Sequence, residues 1–399
     1  MTSCASSADC SGYNGDCRPN GTCVCRSGWT GATCGEVAWS AAGAVHAFAS
    51  DLWTWGGSPI RGDDGLIHMY ASEITNDCGI LHYCSNSRVI HLTAQNPLGP
   101  FRRQGVALAP RPPPAWDSGA VHGPTVHRVA GGIYALYYMG TSNVWDPAGG
   151  SHPNCTVTVD PQGGDRGSRR IGLATSTSPW GPWTRRDAPI FGPGNRTANE
   201  WDWSDVSNVT PIILANGTTV LLYKGRGHVQ AMGAASGRAY DGPFQRTRPT
   251  APVLSWHVED TWGWVRAASA GNPEVLHVLS HVGNGARAAG GHAWSFDGVN
   301  WVDTTAVHGG VPAYTGRVQW ADGNVTVLER RERPQALLRR SAVMGSGNAS
   351  GVDSAASDSY GEPEVICTSA QPAACKTDGG PPVSTASCRS FTMCATVAS

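Results

Sequence analysis

The feature that most constrains the fold of this chain is a group of six cysteines near its start. They are Cys4, Cys10, Cys17, Cys23, Cys25 and Cys34. A segment of about 30 residues buries too little apolar surface to fold on a hydrophobic core alone, so disulfides must hold it together. Six cysteines can pair in many ways, and spacing alone does not choose among them. We therefore expect residues 1–35 to form a small disulfide-rich module.

The run from Cys23 to Cys34, CVCRSGWTGATC, resembles the signature of an EGF-like module. Its glycines suit turns, and Trp29 is placed to cover a disulfide. The resemblance implies the pairings Cys4–Cys17, Cys10–Cys23 and Cys25–Cys34. Calcium-binding modules of this kind carry acidic residues before the first cysteine, whereas only Met-Thr-Ser stands here, so no calcium is expected. The module is either a spacer or cap, or a site for a protein partner.

Cysteines and glycosylation signals indicate the secretory pathway. The 399 residues include 13 cysteines and seven Asn-X-Ser/Thr sequons, which fit oxidising, glycosylating surroundings. The predicted glycosylation sites are Asn20, Asn154, Asn195, Asn208, Asn216, Asn324 and Asn348. We expect a secreted or cell-surface protein. No signal-peptide pattern follows Met1, so we expect the natural chain to begin further upstream.

Composition argues against two classes of partner. The formal net charge of −1 provides no basic field for nucleic acid. No apolar run approaches the roughly 18–20 residues that a membrane-spanning helix needs. The 51 glycines and 27 prolines separate short segments rich in valine, isoleucine, tyrosine and tryptophan. This pattern is typical of many short strands joined by turns.

One structural plan recurs four times beyond residue 36. Each unit has a hairpin, a further strand, a glycine-containing turn and an aromatic residue that begins the next strand; the later parts lie at 88–101, 171–183, 232–244 and 291–301. Four strands every ~60–80 residues predict the blades of a β-propeller. A partial fifth unit follows at 314–338. We therefore predict an all-β, five-bladed propeller over residues 36–340, closed by residues just after 36; a β-sandwich is the alternative.

The remaining cysteines lie in or beyond the propeller. Residues 341–399 read as a Ser/Ala/Gly-rich linker followed by a small tail, tied by disulfides among Cys367, Cys375, Cys388 and Cys394. Cys78 and Cys84 are expected to pair across a loop. Cys155 is then left over, either as a thiol or paired outside its domain.

Several short phrases resemble the superfamily of arabinanases, xylosidases and invertase-like enzymes, over residues 40–340. The phrases are WGGSP at 55–59, HGPT at 122–125, GGHAWS at 290–295 and RERP at 331–334. The resemblance implies a central funnel lined by the innermost strand of each blade, with carboxylates near the strand starts. One acid protonates the leaving oxygen, and a second activates water or attacks the sugar. A third acid commonly tunes the first by like-charge repulsion.

Acidic residues near these positions are the candidate catalytic groups. Glu259 stands where the resemblance implies a general acid, although Glu259 and Asp260 also suit an exposed turn. The first blade has Ser58 in place of the expected aspartate, and Asp51 is the nearest acid. The third blade has no acid at 207–210, and Asp205 is the nearest there. Glu332 is either a funnel acid or one partner of an ion pair that closes the ring.

The remaining candidates are expected to bind substrate. They are Trp55, His122, Asp260, Trp262, His292, Glu332 and Arg333. Tryptophan rings stack on sugar faces but also pack between blades. The two histidines are candidates for binding sugar hydroxyls or a central ion, although a lone histidine is more often structural. We predict no cofactor and assign no metal ligands, with a structural ion in the funnel as an option.

Two hypotheses remain for the function. The first is a secreted glycoside hydrolase acting on a polysaccharide or glycan. The second is a non-catalytic carbohydrate-binding or adhesion protein on a degenerate glycosidase scaffold. Two or three carboxylates converging within ~5–10 Å in the funnel favour the first, and an isolated Glu259 favours the second.

Overall fold

A computed structural model describes residues 3–48, 53–142, 155, 169–254, 258–269, 272–282, 289–307, 311–339, 359–372 and 389–398. These residues are almost entirely strands and turns. The N-terminal strands are β1 (Gly15–Cys17), β2 (Cys23–Cys25), β3 (Trp29–Thr30), β4 (Glu36–Val37) and β5 (Trp39–His46). The helices are α1 (Thr304–Val307) and four single 3₁₀ turns at Ser7–Asp9, Thr75–Asp77, Ile80–His82 and Ala130–Gly132.

The other strands form five antiparallel blades. Blade 1 contains β6 (Trp53–Arg61), β7 (Ile67–Ile74), β8 (Ser87–Ala94) and β9 (Arg102–Leu108). Blade 2 contains β10 (Ala120–Val129), β11 (Ile133–Thr141), β12 (Arg170–Ser176) and β13 (Thr184–Arg185). Blade 3 contains β14 (Asp205–Ile213), β15 (Thr219–Arg226), β16 (Gln230–Gly237) and β17 (Gln245–Arg246).

Blades 4 and 5 each recruit an additional strand. Blade 4 contains β18 (Val258–Arg266), β19 (Val275–Val282), β20 (Ala289–Ser295) and β21 (Trp301–Asp303), and β22 (Tyr314–Thr315) pairs with β20. Blade 5 contains β23 (Arg317–Gln319), β24 (Val325–Arg339), β25 (Glu362–Pro372), β26 (Phe391–Val397) and β5. The predicted all-β, five-bladed propeller is therefore confirmed.

The innermost strands β6, β10, β14, β18 and β24 contact one another in a ring around the axis. These strands are buried along most of their length because each lies between two neighbouring blades. Outer strands such as β9 are largely exposed. The turn glycines of the sequence repeat have left-handed backbones, with φ of 94° at Gly99, 84° at Gly181 and 80° at Gly242. Because an L side chain rarely adopts this conformation, the glycine in each repeat is a requirement of the turn.

The C-terminal segment is part of the propeller, which corrects the predicted linker and tail beyond residue 340. Strand β25 pairs with β24, β26 pairs with β25, and β5 pairs with the far edge of β26. A disulfide between Cys367 and Cys394 joins β25 to β26. The prediction overlooked that blade 5 still needed outer strands, which the EVICTSAQ and FTMCATV segments supply. Closure by residues after 36, as predicted, is confirmed.

Hydrophobic clusters fill the five seams between adjacent blades. One cluster joins blades 1 and 2 around Tyr70 and Tyr134, and another joins blades 2 and 3 around Tyr137 and Tyr223. Similar clusters lie in the next seams around the ring. Each fully buried aromatic or branched side chain contributes roughly 1.5–3 kcal/mol by its removal from water. The hydrophobic core is therefore divided among the seams between blades, and polar side chains lie at the propeller axis.

The disulfides confirm one set of pairings and correct another. The N-terminal module has Cys4–Cys17, Cys10–Cys23 and Cys25–Cys34, as the resemblance implied. Cys78 pairs with Cys155, 77 residues away, so the predicted Cys78–Cys84 pair is wrong. The physical reason is that Cys155 lies against the turns after β7, where its carbonyl oxygen is 2.9 Å from His82 Nε2. Cys375 and Cys388 lie outside the described residues.

The N-terminal disulfide module (residues 3–35) packs against blades 4 and 5. Trp29 stacks on Trp264 with ring centroids 6.1 Å apart and lies 4.9 Å from the ring of His292. Arg266 donates a hydrogen bond to Asn14 Oδ1 at 2.9 Å and another to the carbonyl oxygen of Tyr13. The Trp29 face is therefore occupied within the chain. Of the two predicted roles, this contact favours a cap, and a protein partner for the module stays a prediction.

Four predicted glycosylation sites lie on exposed turns: Asn20, Asn195, Asn216 and Asn324. Asn154 and Asn348 lie outside the described residues. Asn208 is different, because its amide nitrogen donates a hydrogen bond to Asp260 inside the propeller. A glycan would be attached at that nitrogen, so we expect none at Asn208. Within the described residues, no helix has the length and apolar character needed to cross a membrane.

Candidate active site

Each innermost strand contains a β-bulge, which is near the start of the strand in blades 1 to 4 and midway along β24 in blade 5. The pairing register shifts at the same place in all five blades. The first bulge residue always has a left-handed backbone, with φ of 66° at Gly56, 60° at Gly123, 50° at Asn208, 53° at Asp260 and 52° at Arg333. This conformation is uncommon for residues other than glycine, and such outliers cluster at functional sites. The bulges therefore mark one level of the funnel.

The bulge residues meet at the propeller axis. Arg333 Nη1 lies 3.3 Å from Asp260 Oδ1, and Arg333 Nη2 donates to the carbonyl oxygen of Gly123 at 2.8 Å. Asn208 donates to the same Asp260 oxygen. A Cβ at Gly123 would lie 2.8 Å from Arg333 Nη2, so only glycine leaves room for the guanidinium there. Arg333 thus binds the protein across the axis, and its predicted contact with substrate stays a prediction.

The residue before each bulge occupies an equivalent place around the funnel. These residues are Trp55, His122, Ser207, Glu259 and Glu332. Among the described residues, blades 4 and 5 therefore supply the carboxylates at this level, and blade 3 supplies a hydroxyl. His122 is buried, and its Nδ1 lies 2.8 Å from Ser87 Oγ. Burial and the charge of Arg333 lower the pKa of His122 to about 3, so its imidazole is neutral.

Three carboxylates converge around one imidazole. Donor atoms of Asp260, His281 and Glu332 all lie within 4.8 Å of one another, and all three residues are buried. His281 Nδ1 is 3.4 Å from Glu259 Oε1, and His281 Nε2 is 3.8 Å from Glu332 Oε1. Lys224, at the end of β15, forms an ion pair with the other oxygen of Glu259. Glu259 therefore stands beside two further acids, and we call these five residues the carboxylate cluster.

The environment separates the pKa values of the two glutamates. Burial alone would raise the pKa of Glu259, but Lys224 and His281 hold it well below the usual range. Burial raises the pKa of Glu332, and the nearby charges of Asp260 and Glu259 add to this. Glu259 is therefore ionised near neutral pH, and of the two glutamates Glu332 holds a proton more readily.

His281 sits between the glutamates. Burial lowers the pKa of His281, but the neighbouring carboxylates outweigh this and leave the pKa above its ordinary value. Sequence reasoning did not select His281 as a site residue. The signal was available in the hairpin register, because His281 is directly opposite Glu259 across β18 and β19. Such cross-strand neighbours have side chains on the same face of the sheet.

Asp205 and Asp51 are not seen in this cluster. Asp205 is buried at the start of β14, with Oδ1 3.3 Å from Arg169 Nε and Oδ2 4.0 Å from Arg226 Nε. Its charge is thus balanced by arginines, and it makes no hydrogen bond or ion pair to the cluster within the described residues. Asp51 lies outside the described residues. The expected catalytic role for Asp205 gains no support from these contacts.

Two other candidates, Trp262 and His292, pack against aromatic side chains of the protein. Trp262 follows the bulge of β18, is buried, and stacks on Trp264 with centroids 5.5 Å apart in the seam with blade 5. His292 is on β20, the third strand of blade 4, and its ring lies against Trp29 and His277. The prediction placed His292 near an inner strand, whereas the register puts it under the N-terminal module. Trp55 remains at the funnel level and is buried.

The cluster does not favour a central metal ion. Asp260, His281 and Glu332 would be the ligands, and carboxylate and imidazole donors suit divalent cations. However, Arg333 already supplies a positive charge to Asp260, and Asn208 donates to the same oxygen. The raised pKa of His281 also favours its protonated form over the neutral form that binds metals. We therefore derive no catalytic step through a metal.

Comparisons with known proteins agree with the fold. No protein-family model matches the chain, and no curated protein matches it. A family 117 glycoside hydrolase of the marine bacterium Zobellia galactanivorans is 15% identical, with a TM-score of 0.54, over 88% of this chain and 89% of that one. A GH62 hydrolase in complex with xylotriose is 11% identical, with a TM-score of 0.53, over 89% and 97%.

A third solved structure is the catalytic domain of the Coprinopsis cinerea GH62 α-L-arabinofuranosidase. It is 13% identical, with a TM-score of 0.51, over 88% of this chain and 98% of that one. The chain has the five-bladed propeller fold of these glycoside hydrolases. Identities this low establish the fold alone, so the chemistry must be argued from the cluster itself.

Proposed function

We propose that the funnel hydrolyses glycosidic bonds, with Glu332 as the general acid and Glu259 as the carboxylate that activates water or attacks the sugar. The observation that carries this proposal is the convergence of Glu259, Asp260 and Glu332 around His281. Two carboxyl groups with pKa values pushed apart are what glycoside hydrolysis requires. The sequence analysis expected Glu259 to be the general acid. We assign it the role of the ionised carboxylate instead, because the ion pair with Lys224 favours its ionised form.

In the simplest sequence, Glu332 gives its proton to the leaving oxygen as the bond to the anomeric carbon breaks. If water attacks directly, it forms the new bond to that carbon and releases a proton to Glu259, and transfer of a proton from Glu259 to Glu332 through solvent completes the cycle. If Glu259 attacks first and forms a covalent glycosyl intermediate, water displaces Glu259 from the anomeric carbon and gives its proton to the ionised Glu332, which restores both groups. Asp260 raises the pKa of Glu332 by like-charge repulsion, which is the role of the third acid.

The substrate class proposed is a polysaccharide or glycan. Structural neighbours include an α-L-arabinofuranosidase and a hydrolase in complex with xylotriose, so arabinofuranosides and xylo-oligosaccharides are the first substrates to test. We also propose that the protein acts outside the cell, because its disulfides and exposed sequons fit that environment.

The test is a hydrolysis screen over aryl furanosides, aryl pyranosides and polysaccharides. Wild type is compared with Glu259→Gln and Glu332→Gln, and Glu329→Gln on the same strand as Glu332 serves as the matched control. We expect the two funnel variants to lose activity by roughly 100-fold or more and the control to keep it. Activity that survives both funnel substitutions would refute the proposal.

A second candidate is carbohydrate binding without catalysis. The ion pairs of Glu259 with Lys224 and of Asp260 with Arg333 favour it, because both neutralise carboxylates that chemistry would use. Absence of hydrolysis across the screen, with calorimetric binding of an oligosaccharide that Glu332→Gln weakens, would select this function.

A further inference from the structure

A cavity lies on the other side of strand β24 from Glu332. It has a volume of about 510 Å³, within the range of small-molecule sites. The segment from Glu36 to Ala44 forms one wall, and residues 312–319 form another. Arg331 also lines it, and because neighbouring residues of a strand point to opposite faces, Arg331 is directed away from the funnel. The cavity is therefore separate from the carboxylate cluster.

Arg331 is held between two aromatic rings at this cavity. Its guanidinium carbon lies 4.6 Å from the ring centroid of Trp39 and 4.8 Å from that of Tyr314. Nη1 donates to the carbonyl oxygen of Thr315 at 2.9 Å, and Nε donates to Thr368 Oγ1 at 3.4 Å. These contacts fix the plane and direction of the guanidinium before any ligand arrives.

The positive charge of Arg331 has no carboxylate partner among the described residues. The residue is only 3% exposed, and burial lowers its pKa to about 10. Two of its five N–H groups are used in the hydrogen bonds to Thr315 and Thr368, so the other three lack a protein acceptor in the described part of the chain. Aromatic faces compensate a buried cation only in part. An oxyanion in the cavity would complete the compensation.

The other charges at the cavity do not provide that anion. Arg317 adds a second cation to the lining, and Glu36 is the acidic residue there. The Glu36 side chain is directed at Gly31, where an added Cβ would collide with its carboxylate. No ion pair joins Glu36 to Arg331 in the described residues. The lining therefore carries two cations for one carboxylate that faces elsewhere.

We propose that this cavity binds a small molecule carrying a carboxylate or sulfate group, through the stacked guanidinium of Arg331. A guanidinium fork recognises planar or tetrahedral oxyanions through paired hydrogen bonds. The volume admits a molecule of about the size of an acidic monosaccharide. The proposal does not depend on hydrolysis in the funnel.

Calorimetric titration with D-glucuronate tests the proposal, with D-glucose as the uncharged match and sodium sulfate as the second oxyanion. We expect glucuronate to bind wild type and to raise its melting temperature above that in glucose at equal ionic strength. Arg331→Met should weaken binding at least about tenfold, whereas Arg339→Met, an exposed arginine on the same strand, should not. Arg331→Lys, which keeps the charge but loses the fork, should weaken it less.

Glu332→Gln separates the two sites, because it should lower hydrolysis of polysaccharide in the funnel by roughly 100-fold or more and leave glucuronate binding unchanged. Competition by sulfate would identify general oxyanion recognition, and binding without such competition would identify a carboxylate site. Equal binding of glucose and glucuronate, or unchanged binding in Arg331→Met, would overturn the proposal. A wild-type melting temperature that glucuronate leaves unchanged would also overturn the proposal. This measurement uses wild type alone, so it does not depend on the folding of a variant.

Discussion

Asp260 and Arg333 form an ion pair on the propeller axis, with Asp260 Oδ1 3.3 Å from Arg333 Nη1. Each residue is at the bulge of a different blade. Both side chains are almost fully buried. The pair therefore joins blade 4 to blade 5, at the seam where the N-terminal module also packs. It also fixes a carboxylate that lies within 4.8 Å of Glu332.

Removing one partner of this ion pair should be costly. Arg333→Met leaves a buried Asp260 carboxylate without its cation and is expected to lower the free energy of unfolding by about 3–5 kcal/mol. Urea denaturation measures the change. The double variant Asp260→Asn/Arg333→Met should recover part of the loss, because neither charge then remains buried. A single variant as stable as wild type would contradict the importance of the pair.

If Glu332 is the general acid, its protonation should control the alkaline side of the pH profile. Its raised pKa means that kcat/KM falls as pH increases through a value above the usual carboxyl range. Glu332→Gln should remove this fall and lower kcat/KM by roughly 100- to 10,000-fold on a poor leaving group. On a dinitrophenyl glycoside, which needs no protonation, the loss should shrink. An equal loss on both substrates would exclude acid catalysis by Glu332.

Lys224 should control how stability responds to acid. Because the folded pKa of Glu259 is depressed, its contribution to stability is present above the ordinary value of 4.5 and is lost as pH falls below it. Lys224→Met raises that folded pKa, so the variant should lose less stability than wild type between about pH 6 and about pH 3. Urea denaturation at both pH values compares them. Parallel losses would contradict the assigned ion pair.

The Cys78–Cys155 disulfide should be a major source of stability. It closes a loop of 77 residues, for which the loop-entropy relation predicts about 4.5 kcal/mol. Cys78→Ser and the double variant Cys78→Ser/Cys155→Ser should lose similar amounts, because both break the same bond. Non-reducing peptide mapping should recover the Cys78–Cys155 linkage. A peptide joining Cys78 to Cys84 would disprove it.

Trp29 should anchor the N-terminal module to the propeller. Trp29→Ala removes a buried ring stacked on Trp264 and is expected to cost about 3–5 kcal/mol. Limited proteolysis should also release the module more rapidly. Trp180→Ala, at a tryptophan that is 48% exposed, is the control and should cost far less. Similar losses at both positions would argue against specific docking.

Local signals explain which parts of the fold were predictable. Turns such as Asn216-Gly217 and the repeated Gly-Pro-aromatic unit act over a few residues, so they reveal the blades directly. The pairing of β5 with β26 joins residues more than three hundred positions apart, and no local pattern announces it. Residues 341–399 were predicted to be a linker and tail for the same reason, because no local pattern shows which strands β25 and β26 pair with. Cys78 was likewise assigned to its nearest neighbour in sequence.

The funnel was predictable in part. Glu259 and Glu332 stand at equivalent positions of blades 4 and 5, and the resemblance of the flanking phrases pointed to both. Their roles were not predictable, because the pKa values depend on Lys224 and His281 from other strands. Asp205 was proposed because it is close in sequence to residues 207–210. In the structure it forms an ion pair with Arg169, a contact that no local sequence pattern indicates.

Blade 5 combines β5, the first long strand among the described residues, with β26, the last one. During synthesis, blades 1 to 4 can form in order as they leave the ribosome, but β5 has no edge to pair with until residues 391–397 emerge. A nascent chain that stops before that point carries an open ring with unpaired strand edges, which are templates for aggregation. Any chain cut before residues 391–397 therefore leaves the inward edge of β5 without its partner strand, so closure of the ring depends on both ends of the propeller sequence being present.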